Sequence, residues 1–102
     1  AYCLFIAPKL HQDTIETFWM AINYGYKGKV QKIVPLSISQ FIQLLEALFE
    51  IRKQGERFTH SQLLNLYEQI LELTNHVAHS EEWLDQIPAK ITEWQQTILT
   101  RQ

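Results

Sequence analysis

The chain has 102 residues, 46% of them hydrophobic and 20% charged, with a formal net charge of −2. This is the composition of a folded domain with a modest core, and it excludes a disordered or low-complexity chain. No apolar run approaches the length that spans a bilayer, and the single cysteine, Cys3, excludes an intrachain disulfide.

Charge is divided unevenly. Residues 1–55 hold six Lys/Arg against four Asp/Glu, and residues 56–102 hold three against seven. Charge this mild reads as a solvated surface and is no footprint for nucleic acid by itself. No basic segment leads into an apolar stretch at the N-terminus, which points to a cytoplasmic setting.

The first element is the apolar run Cys3-Leu4-Phe5-Ile6-Ala7, ended by Pro8. It is short and aromatic-rich, as a buried strand is, and it predicts an inert buried thiol at Cys3. A helix follows from about Asp13, where Asp13 and Glu16 form a capping-box-like pair and Ile15, Phe18, Trp19 and Ile22 form the apolar face. Gly25 is suited to end it. Residues Tyr26-Lys27-Gly28-Lys29 read as a loop, and Gln31–Leu36 as a second strand in which Pro35 marks the end of pairing or an edge. Two strands around one helix predict a parallel, right-handed βαβ unit.

Three or four helices complete the chain. Ser37-Ile38-Ser39-Gln40 is a capping box, followed by Phe41, Leu44, Leu45, Leu48 and Phe49 as one inward side, with Gly55 as the stop. Thr59-His60-Ser61-Gln62 opens a third helix whose inward residues are Leu63, Leu66, Ile70, Leu73 and Val77. Ser80 caps a short turn through Trp83 and Leu84. Pro88 predicts a kink or restart before a last helix carrying Ile91, Trp94 and Ile98. Fold class is therefore α/β, a single domain over 1–102 with a βαβα part in 1–55 and a helical C-terminal extension in 56–102. A two-stranded sheet has open edges and little surface of its own, so further strands are expected upstream in a longer protein.

Few residues offer chemistry. Glu72, His76 and His79 stand at i, i+4 and i+7, but no Cys joins them and no Glu adjoins the first His, so an exposed polar stripe explains them. Ser37 and Ser39 are accounted for by capping, and no glycine-rich phosphate loop or strand-end carboxylate pair exists. No catalytic residue and no metal ligand is assigned. Lys9 and His11 directly follow the first strand. They read as solvated turn residues or as phosphate contacts, and the strand-end position raises the second reading. Lys27 and Lys29, beside Tyr26, join them as candidates for the DNA backbone.

The run Cys3-Leu4-Phe5-Ile6-Ala7-Pro8-Lys9-Leu10-His11-Gln12-Asp13-Thr14, with Phe18-Trp19 after it, resembles AlwI-like type IIS restriction endonucleases of the PD-(D/E)XK superfamily. So does Lys32-Ile33-Val34-Pro35-Leu36-Ser37-Ile38-Ser39-Gln40-Phe41-Ile42, followed by Leu44-Leu45-Glu46. The resemblance covers about the first half of the chain. It implies a fragment of a restriction-endonuclease-like fold: the C-terminal portion of a type II enzyme that hydrolyses double-stranded DNA with Mg²⁺. The superfamily's catalytic Asp and Glu-x-Lys have no counterpart here, so the acids and the ion would lie with the upstream part of the protein. The fragment alone would be inactive and bind no cofactor. Expected partners are double-stranded DNA, that upstream part and a homodimer mate, with no membrane. The competing reading is a non-catalytic, α-rich protein-interaction module, with Trp19, Trp83 and Trp94 as apolar contact surface.

Overall fold

The computed structural model describes residues 2–24 and 32–100. In it the apolar runs form two parallel strands, β1 (Cys3–Ala7) and β2 (Ile33–Ser37), joined by α1 (Gln12–Tyr24). Cys3 pairs with Ile33 and Ala7 with Ser37, and the Cys3 amide donates to the Lys32 carbonyl at 2.8 Å. Three helices follow: α2 (Ile38–Lys53), α3 (His60–Glu72) and α4 (Ser80–Leu99), with one 3₁₀ turn at Leu73–Asn75 between α3 and α4. The expected α/β class, a βαβ unit and then helices, is what the chain adopts.

Local chemistry fixes the helix ends. Ser37 Oγ accepts from the Gln40 amide at 3.2 Å while Gln40 Oε1 accepts from the Ser37 amide at 2.9 Å. Thr59 and Gln62 repeat this box at 3.1 and 2.7 Å. Both satisfy amides that a helix start leaves without partners. At the far end of α2, Gly55 takes φ +80°. Its amide donates to the Arg52 carbonyl, and the Glu56 amide to that of Ile51, which is the Schellman pattern. The first helix departs from expectation. It begins at Gln12, the His11 carbonyl accepts from the Ile15 amide at 3.1 Å, and Asp13 sits inside the first turn. The stop expected at Gly25 lies outside the described residues.

Pro88 does not restart the last helix, which runs unbroken from Ser80 to Leu99. A proline frees the carbonyl four residues earlier, here that of Leu84. Gln40 Nε2 donates to the Leu84 carbonyl at 3.4 Å, and Gln43 Nε2 to that of Pro88 at 3.0 Å. Two α2 side chains thus supply hydrogen bonds to α4 around its proline.

The core lies among the helices and β2. Ile15, Val34, Leu36, Ile51, Leu66, Trp83 and Ile87 are fully buried. Trp83 Nε1 donates to the Ile70 carbonyl and Trp94 Nε1 to that of Gln62, each at 2.9 Å. These two tryptophans are core residues with satisfied N–H groups, so they offer no surface to a partner; only Trp19 is half-exposed, and its N–H reaches the Thr74 carbonyl at 3.4 Å. On α2 the inward residues are Leu44, Ala47 and Ile51. Leu45 and Phe49, expected beside them, are turned away and exposed. Among the described residues β1 has β2 as its one strand neighbour, and Leu4, Phe5 and Ile6 remain 36, 38 and 40% exposed. Cys3 is exposed for the same reason, contrary to the buried thiol its apolar neighbours suggested.

Candidate nucleic-acid interface

Parallel strands end at the same rim of a sheet, and the register puts Ala7 beside Ser37 there. Beyond Ala7 the chain bends through Pro8 and Lys9, tucks Leu10 against the core and reaches His11 before α1. Beyond Ser37 it enters α2 at once. The amino ends of α1 and α2 therefore open from this rim, where unpaired amides and the helix dipole favour anions. Lys9 and His11 are exposed on it. Among the described residues the ammonium of Lys9 has no ion-pair partner, unlike Lys90, which pairs with Glu93 at 3.4 Å. Ser39 is exposed beside Ser37, their hydroxyls 3.1 Å apart.

The rim has an acidic side that the sequence did not reveal. Gln12 Nε2 donates to Ser80 Oγ at 2.9 Å and so draws the start of α4 next to the start of α1. A hollow of about 420 Å³ lies there, lined by Gln12, Glu16, Trp19, His79, Ser80 and Glu81. Its carboxylates repel anions, which makes the Lys9 side of the rim the more favourable one for negative charge. The signal for this arrangement was long-range, a hydrogen bond between residues 68 positions apart.

The remaining candidates separate from this rim. Lys27 and Lys29 lie outside the described residues. Lys32, just before β2, stands at the opposite end of the strands. It shares a hollow of about 280 Å³ with Ile22 and Asn23 of α1 and with Glu68 and Glu72 of α3. The Lys32 ammonium lies 5.0 Å from the centre of the Tyr2 ring, and the Tyr2 hydroxyl donates to a Glu68 carboxylate oxygen. That hydrogen bond first, then burial and the Glu68 charge, raise the Tyr2 pKa above 10.0. Glu72, His76 and His79 do not share a helix face. α3 ends at Glu72, His76 follows the 3₁₀ turn, and His79 stands at the N-cap position of α4 without a side-chain cap hydrogen bond, while Ser80, expected to be the cap, is the first residue of the helix. Among the described residues no three His, Cys, Asp or Glu are grouped to hold a metal ion.

The strands, α1, β2 and the first part of α2 are the segment that compares with a known family. Residues 1–44 match the model of the AlwI restriction endonuclease family. Over this segment the chain is AlwI-like. The AlwI match takes in both strands, the Lys9–His11 rim and the capping box of α2, and it ends within α2. The helices that close the core, α3 and α4, lie beyond it. No curated protein matches the chain. No described helix is long and apolar enough to cross a membrane.

Proposed function

We propose that these residues form the part of an AlwI-like DNA endonuclease that follows its catalytic strands. The observation that carries this reading is the AlwI match over residues 1–44, which supports a DNA endonuclease function and a DNA substrate. The exposure of β1 supports its placement. An apolar run with both faces alike is the signature of an interior strand in a parallel sheet, yet among the described residues β1 has one strand neighbour. A strand from an upstream part of the protein fits its open edge.

The residues described here do not suit Mg²⁺. Asp13 and Glu16 stand on the first turns of α1 and Glu81 lines the hollow beside Glu16, but among the described residues no three such groups converge to hold a metal ion. A hard divalent ion asks for several oxygen ligands around one point. In this reading the metal and its acids belong to the upstream part, and this chain supplies sheet continuation and backbone contact. Lys9 and His11 would meet phosphate oxygens on the basic side of the rim, positioning the duplex without reading its sequence. Lys27 and Lys29, which lie between α1 and β2 in sequence, remain candidates for the same task.

The test is cleavage of plasmid DNA, with Mg²⁺, by the natural protein that contains these residues. Cleavage is expected, and Lys9→Ala should weaken DNA binding and reduce its salt dependence by about one phosphate contact. A protein that contains these residues and neither cuts nor binds duplex DNA over a range of sequences and divalent ions would overturn the proposal.

A further inference from the structure

Side-chain hydrogen bonds fasten α1 to residues 74–80 near its start, its middle and its end. Gln12 Nε2 donates to Ser80 Oγ at 2.9 Å, Trp19 Nε1 to the Thr74 carbonyl at 3.4 Å, and Thr74 Oγ1 to Asn23 Oδ1 at 3.2 Å. Thr74 and Ser80 are both buried. Residues 74–80 lie beyond the AlwI-like segment, which ends at residue 44.

Of these bonds, Gln12–Ser80 is the one at the rim. Gln12 is the first residue of α1 and directly follows His11. The chain before α1 is anchored at alternate residues. Leu10 packs against the core and Gln12 is tied to Ser80, while Lys9 and His11 are exposed. His79, at the N-cap of α4, makes no side-chain cap hydrogen bond; Ser80 beside it reaches across to α1.

We propose that Gln12 and Ser80 are positioning residues for phosphate contact. Their hydrogen bond holds the first turn of α1 and, through it, the Lys9 and His11 side chains on the rim. This rests on the reading of the rim as a contact for the DNA backbone. A helix end frays unless it is tied down, and a frayed turn must be ordered again on each encounter with phosphate. The tie orders it beforehand, which strengthens binding without a new contact. Ser80 is 3% exposed, too buried to touch DNA, so its hydroxyl reaches the rim through Gln12.

The test uses the natural protein that contains these residues. The Ile15 amide closes the first turn of α1 on the His11 carbonyl. Its hydrogen exchange, read by mass spectrometry, should quicken at least about threefold in Ser80→Ala. Affinity for a mixed-sequence duplex without divalent ion should fall about threefold in Ser80→Ala and in Gln12→Ala, and no further in the double variant. Once Lys9 and His11 are both alanine, Ser80→Ala should change nothing. Asn23→Ala, which cuts the bond at the far end of α1, should leave duplex binding as it was. Unchanged exchange at Ile15 overturns the proposal. So does unchanged affinity in Ser80→Ala, an equal loss in Asn23→Ala, or an equal loss without Lys9 and His11. If exchange quickens but the protein binds no duplex at all, the reading of the rim itself fails, and the positioning role with it.

Discussion

The two ends of the chain treat their apolar residues in opposite ways. In α3 and α4 the large side chains are buried, and the indole N–H groups of Trp83 and Trp94 meet carbonyls. In β1 and on the outer side of α2, residues of the same kind face outward. One region is energetically complete. The other carries apolar surface whose burial has not been realised within this chain. The contrast divides the molecule by burial: β2, α3 and α4 hold the core, while β1 and the outer side of α2 leave apolar side chains exposed.

The largest expected effect comes from breaking the complete side. Trp83→Ala removes a fully buried ring and leaves the Ile70 carbonyl without its donor, a loss of about 3–5 kcal/mol by urea or thermal unfolding. Leu36→Ala, also fully buried, should cost about 2–5 kcal/mol. Ile6→Ala, its neighbour across the ladder, should cost much less, about 1 kcal/mol, because the side chain is already 40% exposed. Equal losses at positions 36 and 6 would erase the distinction between the two regions.

An intermediate effect tests how the two regions are joined. Gln40→Ala removes the side chain that completes the capping box of α2 and the donor to the Leu84 carbonyl in α4. About 1–2 kcal/mol should be lost. If Gln40 supports the helix through Pro88, Gln40→Ala should cost less in a Pro88→Ala background, because the Leu84 carbonyl then regains a backbone partner.

How far the sequence reaches follows the same division. The boxes at Ser37 and Thr59 and the stop at Gly55 are local, written within four residues, and they stand as read. The restart expected at Pro88 does not occur, and the hydrogen bonds that α4 receives around its proline come from Gln40 and Gln43, which are distant in sequence. Cys3 was expected buried because a strand's apolar pattern records what the strand requires and not whether a neighbour is present. Leu45 and Phe49 face outward against expectation because a helix apolar on two sides does not say which side faces the core. At the candidate interface, the position of Lys9 and His11 at a strand end was legible from the βαβ pattern. The acidic hollow beside them was not, because it depends on the Gln12–Ser80 contact.

The smallest effect concerns pH and links β1 to α3. The folded pKa of Tyr2 is raised above 10.0 chiefly by its hydrogen bond to Glu68. A raised pKa in the folded state means that the contact's stabilisation is fully present below pH 10.0 and is lost as pH climbs through the higher folded value. Burial raises Tyr67 in the same direction. Tyr2→Phe should flatten the decline of stability above pH 10.0 in part, leaving the share due to Tyr67.

Amide hydrogen exchange of this chain, residue by residue, measures the division directly. The Cys3 amide points to β2, so alternation along the strand turns the Leu4 and Ile6 amides to the open edge. Those two should exchange at least about a hundredfold faster than the amides of Leu66, Ile70, Ile87 and Ile91 in α3 and α4. Protection of Leu4 and Ile6 equal to that of the α3 and α4 amides would contradict the claim that β1 is a strand still open to a neighbour.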